Sequence, residues 1–317
     1  MLDLNNRPGG PNLIVTAKTA HKVHFLDAAT LATSATIDMP GSTHELALSA
    51  DGRTAYGTVY GDGVFAKRVN PDRRIVVIDL PSKSLMRVID LGAVYAPHGV
   101  MMDEQGTLWS SGELGNAVLA IDPQTGAVQK IDVGSTAHWV AISHKTGKVF
   151  VSLKQDYVAV VDITRRSVID RIKVPHVIEG LAIAPDGETL YCCAQSAAEL
   201  YVIDATTHAL RGTVPIAGAD GSKRQMRRVR VSPDNRYVVV SSNQDAHAAI
   251  YLADGLKQVA SFPTKKSPMG FGFAPGGTHA YLCCHDDAEV FEFELATGRV
   301  TRSFPTAAGC EFIVAYH

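Results

Sequence analysis

One pattern recurs along the whole chain at a period near 40 residues: a short apolar strand, a tight turn, and the start of a second strand. It reads ELALSADGRTAY at 45–56, GVMMDEQGTLW at 99–109, WVAISHKTGKVF at 139–150, GLAIAPDGETLY at 180–191, RVRVSPDNRYVV at 228–239 and GFGFAPGGTHAY at 270–281. The Asp-Gly, Thr-Gly, Asp-Asn and Gly-Gly pairs supply the positive φ that tight hairpins need. A third strand ends on an acid in each unit, at Asp79, Asp122, Asp162, Asp204, Asp254 and Glu294, and a polar, alternating fourth strand follows. No stretch of ten residues carries a sustained helical stripe, so repeated strand–helix units are excluded. Four strands per unit, each unit burying its faces against its neighbours, predicts an all-β propeller.

The chain ends set the number of blades. Six inner strands head the units above, and CEFIVAY at 310–316 adds a seventh. The N-terminal segments at 12–20, 22–29 and 31–38 read as strands two, three and four of that same blade. The expectation is one seven-bladed domain over 1–317, its last blade closed by the C-terminal strand on the N-terminal ones, which removes an open sheet edge.

Composition narrows the function classes. The 317 residues are 46% hydrophobic and 20% charged, with a formal net charge of −2, which argues against disorder and gives no electrostatic case for nucleic acid. A local basic patch at Lys223, Arg224, Arg227, Arg228 and Arg230 is the exception. No 18-residue apolar run exists, so no membrane span is predicted. The N-terminus lacks a leader pattern, so a cytoplasmic protein is expected, export remaining open if a leader was removed. The five cysteines are Cys192, Cys193, Cys283, Cys284 and Cys310. Adjacent cysteines in a strand face opposite ways, so reduced thiols are expected.

The phrases AVVDITRRSVIDRIKV and YVIDATTHALRGTV and the recurrent PDG turn resemble the YVTN-repeat, or YncE-like, propeller proteins, and more distantly the lactonase-like seven-bladed propellers. The resemblance covers nearly the whole chain. It implies the fold directly; for function, it implies a superfamily of enzymes, binding proteins and members without established activity. Lactonase-like relatives carry a central carboxylate-based metal site, often calcium.

In a propeller the first strand of each blade lines the axis. Aligning the units on their turns puts His44, His98, His138, Glu179, Arg227, Met269 and Cys310 at one level near one mouth, with Arg228 as the alternative to Arg227. Three imidazoles and a carboxylate suit one divalent transition metal, zinc or iron first, then copper or manganese. Calcium prefers oxygen ligands and fits poorly. His44, His98, His138 and Glu179 are the expected ligands, with Glu179 alternatively a base. Arg227 (or Arg228) would steady negative charge, and Cys310 and Met269 would form an apolar wall. The competing reading is a wet polar channel whose side chains bond one another.

The ends of the second strands offer a surrounding layer: Lys18, Tyr60, Glu113, Lys154, Gln195, Asn243 and His285, with Glu113 or His285 as general base, acid or ligand-orienting group. The insertion at 61–73, carrying Phe65, Lys67, Arg68 and Arg73 with Arg74 beside it, reads as either a lid or a solvated loop. Trp109 is expected in the core and Trp139 in blade packing, away from the axis.

The expected function is metal-dependent hydrolysis of a small polar or anionic lactone- or ester-like substrate by a monomer or small homo-oligomer. The alternatives are an iron- or copper-dependent oxidoreductase or oxygenase, a metal-dependent lyase, a metal-binding protein without turnover, and a non-enzymatic propeller that binds a protein or peptide. Nucleophile-elbow, phosphate-loop, dinucleotide and HExxH motifs are absent.

Overall fold

A computed structural model describes residues 12–63, 67, 69–93, 95–216, 226–274 and 276–316. They form seven four-stranded antiparallel sheets arranged as blades around an axis. Six blades are built from consecutive strands. In the seventh, Cys310–Tyr316 pairs with Asn12–Ala17, in a register running from Asn12 opposite Tyr316 to Ala17 opposite Cys310. The ring therefore closes as its sequence pattern predicts.

The turn chemistry explains the regularity. Gly52 (φ 68°) and Asn235 (φ 60°) take the left-handed conformation in the first hairpins of their blades. The acid at the end of the third strand is also structural. Asp79, Asp122, Asp162 and Asp204 accept the amides of Ser82, Gln124, Arg165 and Thr207 at 2.7–2.8 Å, holding the turn into the fourth strand.

The core lies between blades. One cluster joins Ala47, Tyr56 and Ile75 of the first blade (43–90) to Val100 and Leu108 of the second. Another joins Tyr281, Cys283 and Val290 of the sixth to Leu13, Val15 and Ile313 of the seventh. Each blade needs its neighbours to bury its faces, as repeat stacking requires.

Every inner strand breaks register near its start. The shifts fall between Thr43 and Leu46, Pro97 and Val100, Ala137 and Val140, Ile178 and Gly180, Met226 and Arg228, and Pro268 and Phe271. In the seventh blade the shift lies at Thr16/Ala17, opposite Phe312 and Cys310. These bulges let successive residues of an inner strand face the axis. The strands crowd there: a Cβ on Gly180 would lie 2.8 Å from the Arg227 carbonyl, and one on Gly270 would lie 2.5 Å from that of Glu311.

The insertion at 61–73 extends a hairpin between Thr54–Asp62 and Val69–Asp79. Phe65 and Arg68 lie outside the described residues, as do Lys223 and Arg224. Arg73 pairs with Asp90 at 3.1 Å and Arg74 with Asp72, so neither reaches over the channel. Trp109 is fully buried, its Nε1 donating to Asp103 at 2.7 Å. No described helix is long and apolar enough to cross a membrane.

Candidate functional site

The bulges gather His44, His98, His138, Glu179, Arg227 and Met269 around one well of about 420 Å³. The three histidines stand side by side, ring centroids 4.2 Å apart for His44–His98 and 4.1 Å for His98–His138. All three are at most 4% exposed.

The seventh member of the ring is Glu311, not Cys310. The Cys310 thiol turns between blades, towards the Cys284 carbonyl at 3.2 Å, whereas Glu311 lines the well. Its Oε1 lies 3.3 Å from His44 Nε2, and its Oε2 lies 3.7 Å from His285 Nε2. The C-terminal unit has no following turn on which to align it, which is why the reading slipped by one residue.

The expected surrounding layer forms around six of its seven positions. Lys18, Tyr60, Asn243 and His285 line the well. Glu113 takes the Tyr60 hydroxyl on Oε2 at 2.6 Å and faces His138 Nδ1 with Oε1 at 2.5 Å. Lys154 Nζ donates to Glu179 Oε2 at 2.5 Å. Gln195 is absent from the lining; its amide donates to the Val177 carbonyl at 2.8 Å.

His138 is held between two carboxylates. Its Nδ1 meets Glu113 and its Nε2 faces Glu179 Oε1 at 3.3 Å. With the ring neutral and the proton on Nδ1, Nε2 and the Glu179 oxygen within its hydrogen-bond reach are both ligand types. Their 3.3 Å separation is close to the about 3.4 Å between two ligands each about 2.1 Å from one tetrahedral ion. His44 Nε2 and Glu311 Oε1 show the same separation. The Nδ1 atoms of His44 and His98 are buried without a hydrogen-bond partner. Among the described residues His98, Glu113 and His138 offer ligand atoms all within 4.8 Å of one another. The cluster can thus hold a metal ion. The Glu113–His138 contact also has the form in which a carboxylate orients a ligating imidazole.

Electrostatics sort the remaining groups. Burial, then the charges of Lys18 and Arg228, hold the His44 imidazole well below its ordinary range. Burial, then His138 and His44, do the same for His98. Burial pushes Glu179 upward, but Lys154, His138 and Arg227 outweigh it and keep this carboxylate well below the usual range. Arg227 reaches Glu179 at 3.1 Å through one terminal nitrogen, and its Nε has no partner. Burial lowers the Lys18 ammonium against the pull of Glu311; its Nζ donates to the Gly63 carbonyl at 2.8 Å.

Beneath the histidines the channel is blocked. Arg228 binds Glu45 at 3.2 Å and Glu311 at 3.1 Å, and all three are nearly inaccessible. Burial pushes Glu45 up to about 7 against the charges of Arg228 and Arg230. Trp139 packs between blades as expected, but it does not turn wholly away from the axis. The guanidinium groups of Arg228 and Arg230 lie 4.3 and 5.1 Å from its ring centre, so the indole borders the channel as well as packing among blades three and four. Sequence alternation fails here because the bulge turns successive residues inward. Glu45 went unread for the same reason.

No protein-family model matches the chain. A curated relative, antigen Lp49 of Leptospira interrogans, is 26% identical over 272 residues, which cover 78% of this chain and 56% of the relative. The chain thus spans little more than half the length of that protein. Among solved structures, the periplasmic gluconolactonase of Pseudomonas aeruginosa matches with a TM-score of 0.80 at 17% identity, over 97% of this chain and 99% of its own. Hydrazine synthase of Kuenenia stuttgartiensis matches with a TM-score of 0.73 at 15% identity, over 86% and 89%. These likenesses are of fold: a seven-bladed ring distantly similar to a lactonase.

Proposed function

We propose that this protein is a metal-dependent hydrolase of a small anionic lactone or ester, working in the axial well. The observation that carries the reading is the His138 clamp, whose Nδ1 is fixed by Glu113 while Nε2 faces a second carboxylate. His44, His98 and His138 would hold a divalent ion, zinc or iron, with Glu179 or Glu311 completing the set. When bound, such an ion supplies a Lewis acid and lowers the pKa of a bound water towards about 7.

The chain's own residues divide the remaining work. Arg227, with an unpartnered Nε in the wall, binds a carboxylate of the substrate or the developing oxyanion. Lys18 adds a second cation at the rim. Glu179, held ionised by Lys154 and Arg227, serves as ligand or anchor rather than as base. His285 is the proton-transfer group: its Nδ1 is 2.8 Å from Asp286 Oδ1, while Nε2 faces Glu311. It takes a proton from the attacking water and returns it to the departing alkoxide. Glu113 positions His138, and Arg228 positions Glu311. The fold likeness to a gluconolactonase supports the choice of lactone.

The test is the metal content of the purified protein by plasma mass spectrometry, beside a His44/His98/His138 triple-alanine variant, followed by hydrolysis of glucono-δ-lactone. Near one equivalent of zinc or iron in the wild type, lost in the variant, with lactone turnover that chelation abolishes, is the expected result. No metal after reconstitution under reducing conditions overturns the reading.

A further inference from the structure

The channel has a second chamber. Below the Arg228 block, the far ends of the inner strands enclose a cavity of about 290 Å³, near the small end of ligand pockets. Its walls are apolar, with Leu48, Ile183 and Val314 half-buried around the opening. Glu45 and Arg230 are the only charged side chains among the described lining residues.

We propose that this chamber binds a small carboxylic acid with an apolar tail, its carboxyl group against Arg230 and its tail between Leu48, Ile183 and Val314. The Arg230 guanidinium is spread over two aromatic faces, 5.1 Å from the Trp139 ring centre and 6.0 Å from that of Phe312. It donates to the Val229 carbonyl at 3.3 Å. Its NH2 lies 3.9 Å from Glu45 Oε2, beyond hydrogen-bond reach. Glu45 is engaged instead through Oε1 by Arg228. The Arg230 side chain is 24% exposed and lines the chamber. One further donor of the lining lacks a partner: Trp139 Nε1. A buried polar group without a partner is costly, and a carboxyl group matches a guanidinium fork in geometry and charge. Apolar walls with a few convergent polar groups are the usual makeup of a small-molecule site. The block separates this chamber from the axial well, so the proposal does not depend on the metal reading.

Isothermal titration calorimetry with octanoate tests it, with octan-1-ol and acetate as controls. Saturable one-site binding of octanoate is expected. Octan-1-ol and acetate should each bind at least about tenfold more weakly, because one lacks the charge and the other the tail. Arg230→Gln should weaken octanoate about tenfold or more. Ile183→Trp, which narrows the opening without touching the ion pairs, should abolish binding while metal content stays at the wild-type level. No saturable heat, equal affinity for the alcohol, or unchanged octanoate binding in Ile183→Trp overturns the proposal. If Arg230→Gln fails to fold, Ile183→Trp and the alcohol control still decide.

Discussion

Ser111 Oγ donates to the main-chain carbonyl of His138 at 2.6 Å and accepts the amide of Gly99 at 2.9 Å. One buried hydroxyl thus ties the bulge of its own blade to the histidine of the next. Thr58 does the same between Glu45 and His98, and Thr16 between Phe312 and His44. The histidines are placed by hydroxyls in the neighbouring blades. Ser111→Ala should cost about 1–3 kcal/mol by leaving a buried amide and carbonyl unpaired. It should also weaken metal retention. Urea unfolding and metal analysis of one preparation check both effects, and an unchanged urea midpoint would refute the linkage.

Glu113→Gln keeps the shape of the clamp but removes the charge behind His138. Loss of such an outer partner lowers metal affinity about 10- to 100-fold. Competition with a chromophoric chelator measures it. Tyr60→Phe, which removes the 2.6 Å bond to Glu113, should have a smaller effect in the same direction.

Acid should weaken the metal-free protein in two stages. His44 and His98 lie well below their ordinary value of 6.5 when folded. The unfolded chain therefore takes up protons below about 6.5 that the folded chain refuses, and stability falls as the pH drops from there. Glu179 is depressed below its ordinary 4.5. Its contribution is full above that value and disappears as the pH falls through its lower folded value. Urea midpoints of chelator-treated protein from pH 8 to 4 should be level above about 7 and decline below 6.5. His98→Asn should flatten the upper part of that decline, and Lys154→Met, which removes the largest charge holding Glu179 low, should flatten the lower part. A level profile across the range would count against both assignments.

Gly270→Ala places a methyl group 2.5 Å from the Glu311 carbonyl and 3.0 Å from Phe312 Cα. Both obstacles are backbone, so the strands must separate. A loss of about 1–3 kcal/mol is expected, together with misplacement of Glu311. Thermal unfolding measures the first. If the variant melts with the wild type, the close approach of the sixth and seventh blades is not needed.

The ring was legible in the sequence because each hairpin needs its own turn residues, and these recur at fixed offsets from Asp51-Gly52 to Gly276-Gly277. The axial residues were legible where a turn follows to set the register, hence His44, His98, His138, Glu179 and Arg227. Glu311 was missed because its strand ends the chain. The hydroxyls hold the information that was overlooked: matching Thr16 with Thr58 and Ser111 puts Glu311, rather than Cys310, level with His44. Glu45 and Arg230 were not placed, and Trp139 was assigned wholly to blade packing, because strict alternation assigns neighbours to opposite faces, and a bulge suspends that rule locally.

The buried Arg228 with its two glutamates has a consequence for traffic through the molecule. It makes the histidine well a cul-de-sac. Whatever reaches the bottom must leave by the mouth it entered, so a spent molecule bars the next until it clears. Only the leading end of a longer molecule could reach the histidines, since the chain behind it has no exit below. Under the proposed hydrolysis, turnover in such a blind pocket runs as a queue, with product and substrate competing for one doorway.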